Sequence, residues 1–182
     1  EKPKGQQQRF GKLFQYNDSE ADAKAQALER QRIIVQQRMV HLDEFKESHL
    51  DKVWVATFDG GHRRDEGVGS NGWAIWDVQQ DHWKLVHAEG TCTTGETTVN
   101  VEEFKGLEKA LCYLAQLPPR VCHVFGDSKL VVGAMQGKMR CRTVSMQEAH
   151  ARIVGQVAGL APAPIHFWHI LREFNQVADK LA

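Results

Sequence analysis

The sequence predicts an α/β domain with a five-stranded mixed sheet flanked by helices. Short runs rich in β-branched and aromatic residues, bounded by turn residues, predict the strands. Between them, apolar residues recur at three- and four-residue spacing, which predicts helices. The expected order is a long helix followed by β-β-β-α-β-α-α-β-α. Short connections make the first three strands an antiparallel meander, and the two later strands, which alternate with helices, are expected to be parallel.

Composition sets limits on the function. The chain has 182 residues, 42 % apolar and 25 % charged, which suits one domain with an extension. It carries 23 basic and 23 acidic residues, which excludes a protein that grips nucleic acid by bulk positive charge. No apolar run approaches the roughly 20 residues that span a bilayer, so no membrane partner is expected. The four cysteines form no C-x-x-C pair, which indicates reduced thiols and an intracellular protein, in the cytoplasm or nucleus.

Residues 1–50 differ in composition from the rest of the chain. Residues 1–18 are polar and glutamine-rich, and we interpret them as a flexible lead-in. Residues 19–50 contain no Gly or Pro, and Leu28, Val35 and Leu42 recur at seven-residue spacing, which predicts a long amphipathic helix. Two interpretations of this extension stay open. The helix packs on its own domain, or residues 19–49 link to or dock on other domains of a longer polyprotein.

The remaining chain, 51–182, is expected to form the folded domain. Its strands are predicted near 52–59, 71–78, 82–92, 120–126 and 163–171. The first is expected to end at Asp59-Gly60-Gly61, since glycine is unfavourable in a strand interior. A glycine-rich stretch, 67–72, then leads into the second strand, and the polar turn 79–81 leads into the third.

Helices are predicted at 100–116, 127–136, 143–160 and from Asn175 onward. In the first of them, apolar residues fall on one face, at Phe104, Leu107, Leu111 and Leu114. Pro118-Pro119 terminates this helix, and Asp127-Ser128 opens the next with residues that favour a helix start. The chain ends inside the last helix, which is therefore expected to be truncated.

Four carboxylates are placed where they could meet. Asp59 and Asp127 each follow a strand, and if strands one and four are parallel neighbours, their carboxylates should lie about 4–6 Å apart. Glu103 in the first helical turn after the meander and Asp179 in the last helix could complete the cluster. Each residue alone has an ordinary explanation. Asn100 with Glu103 fits a capping box, Asp127 could cap a helix, and Asp179 could lie on a solvated face.

Such a cluster has a clear chemical use. Carboxylates close together in a low dielectric repel one another, and a cation that neutralises them removes the penalty. Oxygen ligands select Mg²⁺ or Mn²⁺, and two such ions are the usual means of cleaving a phosphodiester. Without metal, at least one carboxylate should have a raised pKa, and we expect Asp59 to be the most perturbed.

Four sequence blocks resemble the motifs of type 1 ribonuclease H, most closely the plant and retroelement variety. They are Thr57–Gly61, Asn100–Leu107, Gly126–Val132 with Gln136–Lys138 after it, and His169–Ala182. The similarity covers about residues 52–182, in the family's order. It implies a five-stranded mixed sheet with flanking helices. It also implies a domain of a retroelement-type polyprotein that cuts the RNA strand of RNA–DNA hybrids with two Mg²⁺ ions, leaving a 5′ phosphate.

The resemblance also assigns roles to single residues. It implies that the metal-binding and catalytic carboxylates are Asp59, Glu103, Asp127 and Asp179. His169 or Arg172 would take the catalytic role that the family gives to a mobile side chain near the last strand, and the choice between them stays open. The residues expected to contact the hybrid are Gly60, Gly61, Asn71, Asn100, Ser128, Lys138, Arg140 and Asn175.

A neutral protein needs local charge to hold an anionic duplex. Lys129, Lys138, Arg140 and Arg142 lie within fourteen residues around the helix after Asp127. We expect them to form a strip that follows the phosphates, with a solvated helix face as the alternative.

Two alternative functions stand beside a hybrid-cutting nuclease. A catalytically silent module of the same superfamily would bind nucleic acid or protein, but such modules usually lose carboxylates, and all four are present here. An integrase-like enzyme acting on DNA would lack an acidic residue at Glu103. One departure from the family pattern is His62–Glu66, which replaces the usual run of small residues after Asp59.

Overall fold

The computed structural model describes residues 52–79 and 82–182. In that part of the chain, five strands and four α-helices follow one another as β1 (Val53–Arg63), β2 (Val68–Gln79), β3 (His82–Thr94), α1 (Val99–Leu114), β4 (Cys122–Gly126), α2 (Lys129–Met135), α3 (Val144–Gly159), β5 (Ile165–His169) and α4 (Gln176–Leu181). This is the order that the sequence predicts from the first strand onward. The predicted lead-in, 1–18, and the predicted helix within 19–50 lie outside the described residues.

The five strands form one mixed sheet in the order β3-β2-β1-β4-β5. The pairs β1–β2 and β2–β3 are antiparallel, whereas β4 runs parallel to both β1 and β5. The predicted meander and the predicted parallel pairing of the first and fourth strands are both confirmed. β1 lies in the centre of the sheet, where it pairs with β2 of the meander on one side and with the parallel strand β4 on the other.

The first hairpin is longer than the sequence predicts. β1 does not end at Asp59 but continues to Arg63, and β2 begins at Val68. The turn between them combines a 3₁₀ segment, Arg64–Glu66, with Gly67, whose φ of 61° lies in the left-handed region that glycine tolerates. The glycines before this turn pair across the hairpin, with Gly60 opposite Asn71. They belong to the strands because β1 and β2 remain paired as far as Arg63 opposite Val68.

Helices cover both faces of the sheet. On one face, α1, α2 and α3 bury a large core against the strands, with Phe58, Trp73, Phe104, Leu107, Leu111, Val124, Val131 and Ile153 among its members. On the other face, α4 contributes Val177 to a smaller cluster that includes Val55, Trp76 and Phe125. The two clusters share the strands because successive side chains point to opposite faces.

The N-terminus of α1 differs from the predicted capping box. The N-cap is Thr98, whose hydroxyl accepts a hydrogen bond from Val101 N, so the helix begins one residue earlier than predicted. Asn100 therefore lies inside the first turn, and Glu103 is not a capping residue. No helix within 52–79 and 82–182 is both long and apolar enough to cross a membrane.

Candidate active site

Three carboxylates converge at one edge of the sheet. One oxygen from each of Asp59, Glu103 and Asp127 lies within 4.8 Å of the other two. Asp59 and Glu103 are buried, and Asp127 is half-buried. The predicted separation of the Asp59 and Asp127 carboxylates, about 4–6 Å, is confirmed.

The register of the parallel strands explains the convergence of the two aspartates. The last residue pair between β1 and β4 is Phe58 with Gly126, and the next residues along each strand are Asp59 and Asp127. Beyond that pair, β1 continues along β2 alone. The two aspartates therefore flank the point where the parallel pairing stops, even though Asp59 lies in the middle of its strand.

Glu103 reaches this point from α1, which packs with its backbone directly on β1. A Cβ atom on Gly60 would collide with the backbone N and Cα of Glu103, so only glycine permits this approach. A Cβ on Gly106, one turn further along the helix, would lie 2.8 Å from the Asp59 carbonyl oxygen. The structure thus gives Gly60 a packing role. It is buried, whereas Gly61, the other glycine predicted to contact the hybrid, is half-buried.

Asp179 approaches the cluster from α4, on the opposite face of the sheet. Its Oδ1 accepts hydrogen bonds from Nε of Arg172, at 3.0 Å, and from Nη2 of Arg172, at 2.8 Å. Its negative charge contributes to raising the pKa of Asp59. The structure therefore brings three of the four predicted carboxylates into mutual contact distance, with the fourth beside them and paired with an arginine.

The cluster perturbs the acidity of two of its members. Burial raises the pKa of Glu103 to about 10, and the charges of Asp59 and Asp127 act in the same direction. Burial raises the pKa of Asp59 to about 7, with Asp127 and Asp179 adding to the effect. A backbone hydrogen bond from Gly60 lowers the pKa of Asp59, whereas a side-chain hydrogen bond with Asp59 raises the pKa of Glu103 further. The prediction of a raised pKa is confirmed, but the prediction that Asp59 is the most perturbed is wrong.

The donor set fits a hard divalent cation. All the converging ligand atoms are carboxylate oxygens, which Mg²⁺ and Mn²⁺ prefer over nitrogen and sulfur. The Oε2 atom of Glu103 is buried without a hydrogen-bond partner, an unfavourable state that a cation would relieve. A side-chain hydrogen bond to Asp59 also raises the pKa of Glu103, because it favours the protonated form of the glutamate.

Comparison with known proteins agrees with this geometry. A family model described as reverse transcriptase-like matches residues 57–182. The chain belongs to the type 1 ribonuclease H family. It is 31 % identical over 128 residues to the bifunctional protein Rv2228c of Mycobacterium tuberculosis and, equally, to a protein of Mycobacterium bovis described as uncharacterized. These 128 residues are 70 % of the chain but 34 % of the relatives, so the chain spans about a third of the curated relatives' length.

Solved ribonuclease H structures share the fold. The N-terminal ribonuclease H domain of Rv2228c aligns with a TM-score of 0.65 and 26 % identity, covering 72 % of this chain and 91 % of that one. LC11-RNase H1 in complex with an RNA/DNA hybrid aligns at 0.62 and 30 %, covering 70 % and 92 %. RNase H1 of the halophilic archaeon Halobacterium salinarum aligns at 0.63 and 27 %, covering 71 % and 94 %.

The two candidates for the mobile catalytic side chain of this ribonuclease H domain have different surroundings. His169, the last residue of β5, places its Nε2 atom 3.1 Å from the backbone carbonyl oxygen of Asp127. Arg172 lies in the 3₁₀ segment that follows, is exposed, and lowers the pKa of both Asp59 and Glu103. Its positive charge therefore acts on the carboxylates directly, whereas His169 contacts the backbone that carries one of them.

Two residues predicted to contact the hybrid are instead fully buried. Asn175 donates from Nδ2 to the Phe58 carbonyl oxygen at 2.7 Å and to Oδ1 of Asp127 at 3.1 Å. Asn71 donates to Oε2 of Glu102 at 2.8 Å. A side chain without exposed surface cannot touch a duplex in this arrangement. In this structure the contacts of both residues position neighbouring groups of the site.

Gly60 is buried as well, whereas the other predicted contact residues remain accessible. Ser128 is the N-cap of α2, where its hydroxyl accepts from Val131 N, and it is half-buried. Asn100 is also half-buried. The side chains of the predicted basic strip are exposed, at Lys129, Lys138, Arg140 and Arg142.

Sequence reasoning missed Glu102. It is fully buried beside Glu103, and it accepts hydrogen bonds from Asn71, Thr97 and Lys105. Burial raises its pKa, but these hydrogen bonds outweigh burial and leave the pKa below the usual value. The available signal was Lys105 three residues later, a spacing at which oppositely charged helix residues pair.

Proposed function

We propose that this domain is an endonuclease that hydrolyses the RNA strand of RNA–DNA hybrids, with two divalent cations, Mg²⁺ or Mn²⁺, as cofactors. The observation that carries the proposal is the convergence of the Asp59, Glu103 and Asp127 carboxylates within 4.8 Å. The solved relative LC11-RNase H1 is bound to an RNA/DNA hybrid, which supports the choice of substrate. Membership of the ribonuclease H family supports the reaction.

Asp59, Glu103, Asp127 and Asp179 would hold the cations. Bound there, the cations would activate a water molecule and stabilise the leaving 3′ oxygen. Glu103 and Asp59 must both be ionised to act as ligands, and both have a raised pKa, so binding of the cations should release protons to solvent. Arg172 keeps Asp179 oriented through its two hydrogen bonds. Arg172 is also our candidate for the mobile catalytic side chain, because its charge acts on the cluster.

The exposed basic strip would hold the duplex. Contacts from Lys129, Lys138, Arg140 and Arg142 to phosphates fix the register of a duplex without reading its sequence. Gly61, Asn100 and Ser128 are predicted contacts that lie within three residues of a carboxylate of the cluster, and their partial exposure is compatible with that role. Discrimination of RNA from DNA would then depend on the 2′-hydroxyl.

A larger parent protein is also part of the proposal. The chain covers only 34 % of its mycobacterial relatives, which supports a ribonuclease H unit within a longer polypeptide. The reverse transcriptase-like description of the matching family supports a retroelement-type polyprotein. The four free cysteines support an intracellular location. An upstream reading frame that encodes a polymerase domain would support this context, and one that encodes an unrelated enzyme would contradict it.

The proposed reaction is tested with a substrate panel. End-labelled RNA–DNA hybrid, double-stranded DNA and double-stranded RNA are incubated with the protein, with and without Mg²⁺, beside Asp127→Asn as control. We expect cleavage of the RNA strand of the hybrid alone, dependent on Mg²⁺ and lost in the variant. Cleavage of double-stranded DNA would favour an integrase-like enzyme. Hybrid binding without any cleavage would favour a silent binding module.

A further inference from the structure

A second polar cluster lies under the first turn of α1, on the side away from the acidic cluster. At its centre is the fully buried carboxylate of Glu102. Its Oε1 atom accepts from Lys105 Nζ at 2.6 Å and from Thr97 Oγ1 at 2.7 Å. Its Oε2 atom accepts from Asn71 Nδ2 at 2.8 Å and from Thr93 Oγ1 at 3.4 Å. Both oxygens are therefore satisfied, which is the condition for keeping a buried charge.

The contacts continue from Glu102 into the meander. Asn71 in β2 accepts a hydrogen bond at 2.8 Å from Thr91 in β3, and Thr91 accepts one from Lys109 in the third turn of α1. The cluster thus connects β2, the outer strand β3 and the first three turns of α1. Hydrogen bonds that meet on one charged group fix the orientation of the elements that supply them.

The fold leaves room for this carboxylate. Gly69 in β2 faces it, and a Cβ atom there would lie 2.7 Å from Cδ of Glu102 and 2.6 Å from Cγ2 of Thr97. Any larger residue at position 69 would displace the carboxylate or the threonine. Glu102 can therefore keep its buried position only if residue 69 is glycine.

Glu102 and Glu103 are adjacent on the helix, and their side chains diverge by about 100°. Glu102 points to β2 and β3, whereas Glu103 points to the carboxylates at the end of the β1–β4 pairing. The Oε2 atom of Glu103 has no hydrogen-bond partner, and a side-chain hydrogen bond links this glutamate to Asp59. The reach of Glu103 toward the aspartates also depends on its backbone, which lies against Gly60 and is anchored one residue earlier by Glu102.

We propose that Glu102 is a positioning residue for Glu103, holding the first turn of α1 so that Glu103 meets Asp59 and Asp127 in metal-binding geometry. This inference rests on the proposed function, since it assigns Glu103 to a metal site. Glu102 itself touches neither substrate nor metal. Glu102 contributes by fixing the position of Glu103.

The test compares Glu102→Ala and Glu102→Gln with a control on the same helix. Glu108→Ala removes an ion pair between α1 and Arg152 of α3, away from the acidic cluster. Mn²⁺ affinity is measured by titration calorimetry, and kcat and KM for a labelled hybrid are measured across Mg²⁺ concentrations. We expect Glu102→Ala to weaken Mn²⁺ binding and lower kcat, each by about tenfold or more, with KM for the hybrid nearly unchanged. Glu102→Gln should show a smaller loss in the same two quantities, and Glu108→Ala none.

Circular dichroism at the assay temperature establishes which variants are folded. If Glu102→Ala is unfolded, Glu102→Gln decides, because it keeps the side-chain volume and one accepting oxygen while it removes the charge and turns the other oxygen into a donor. A folded variant with wild-type Mn²⁺ affinity and wild-type kcat overturns the inference. So does an equal loss in Glu108→Ala, which would indicate general destabilisation of α1.

Failure of the proposed nuclease function would give results that differ from failure of the positioning role. A wild-type chain that binds Mn²⁺ but cleaves no hybrid would refute the nuclease, while calorimetry of the Glu102 variants would still decide the positioning role. A wild-type chain that binds no Mn²⁺ and cleaves no hybrid would overturn both.

Discussion

Arg172 donates two hydrogen bonds to a single oxygen of Asp179, Oδ1. This leaves Oδ2 available to a further partner, and it ties the exposed 3₁₀ segment after β5 to α4. The fourth carboxylate of the cluster is thus oriented by a positive charge that also favours the charged forms of Asp59 and Glu103. The pair therefore links the acidic cluster to an exposed arginine.

Replacing Arg172 by Ala should lower kcat for hybrid cleavage by about tenfold or more, because Asp179 loses its orienting partner. Single-turnover cleavage at saturating Mg²⁺ measures the effect. The control is Arg152→Ala, which removes a surface arginine paired with Glu108 and should leave kcat unchanged. If His169→Ala lowers kcat and Arg172→Ala does not, the mobile role belongs to the histidine.

Replacing Asp59 or Asp127 by Asn should abolish Mg²⁺-dependent cleavage while leaving metal-free thermal stability equal or higher. Each substitution removes a negative charge from a cluster whose members repel one another. Cleavage assays and thermal denaturation in EDTA measure the two effects. Loss of folding instead of activity would mean that these carboxylates are structural.

The metal-free protein should lose stability as pH rises from about 4.5, the ordinary pKa of a glutamate, toward neutrality. Folded Glu103 retains its proton up to about pH 10, and Asp59 up to about pH 7, so the folded state binds more protons than the unfolded state in that window. The stability due to these protons is fully present below the unfolded pKa values. Above them, it decreases by up to about 1.4 kcal/mol per pH unit for each such proton.

Urea denaturation in EDTA between pH 5 and pH 8 measures this dependence. Glu103→Gln cannot ionise, so the stability difference between this variant and wild type should grow with pH. Added Mg²⁺ should flatten the wild-type dependence, since it stabilises the ionised carboxylates. Parallel curves for the two proteins would contradict the raised pKa of Glu103.

Asn175→Ala should destabilise the protein by about 2 kcal/mol, because it leaves the Phe58 carbonyl and Asp127 without a buried donor. The free energy of unfolding in urea gives the value. Asn100→Ala serves as the control, since Asn100 is half-buried in the first turn of α1 and its replacement should change stability by less than about 0.5 kcal/mol. Equal effects of the two substitutions would argue against Asn175 as a structural link.

Replacing Lys138, Arg140 and Arg142 together by Ala should raise KM for the hybrid and leave kcat nearly unchanged, because phosphate contacts bind ground and transition states alike. The slope of log affinity against log salt should fall by about one unit per lost contact. Lys84→Ala combined with Arg152→Ala removes exposed basic residues of β3 and α3 and should leave the slope unchanged. An unaltered slope in the triple variant would make the strip an ordinary solvated surface.

Much of the site could be predicted because its residues lie next to strands and helices that the sequence pattern identifies. Asp59 and Asp127 each follow a recognisable buried run, and parallel neighbours bring such residues to one point of the sheet. The spacing of apolar residues located α1 to within a residue or two. The motif blocks then brought the four carboxylates together as one hypothesis.

What the sequence could not predict depends on partners that are distant along the chain. β1 continues past Asp59 because β2 still pairs with it, and no residue near Asp59 encodes that. Asn175 is buried through a contact with Phe58, 117 residues away, and Asn71 through one with Glu102, 31 residues away. Only the packing of α1 separates the two adjacent glutamates, giving Glu102 four hydrogen-bond donors and Glu103 the acidic cluster.

The central claim is that the converging carboxylates form the metal site of a hybrid-cutting nuclease. Its most direct test uses anomalous diffraction from two crystals. The wild-type protein is soaked in Mn²⁺ alone, and the Asp127→Asn variant is crystallised with an RNA–DNA hybrid and Mn²⁺. We predict Mn²⁺ peaks in the wild type coordinated by Asp59, Glu103 and Asp127, and a hybrid in the variant with its RNA strand facing these residues. Mn²⁺ peaks elsewhere, or a carboxylate cluster that stays metal-free at millimolar Mn²⁺, would contradict the account.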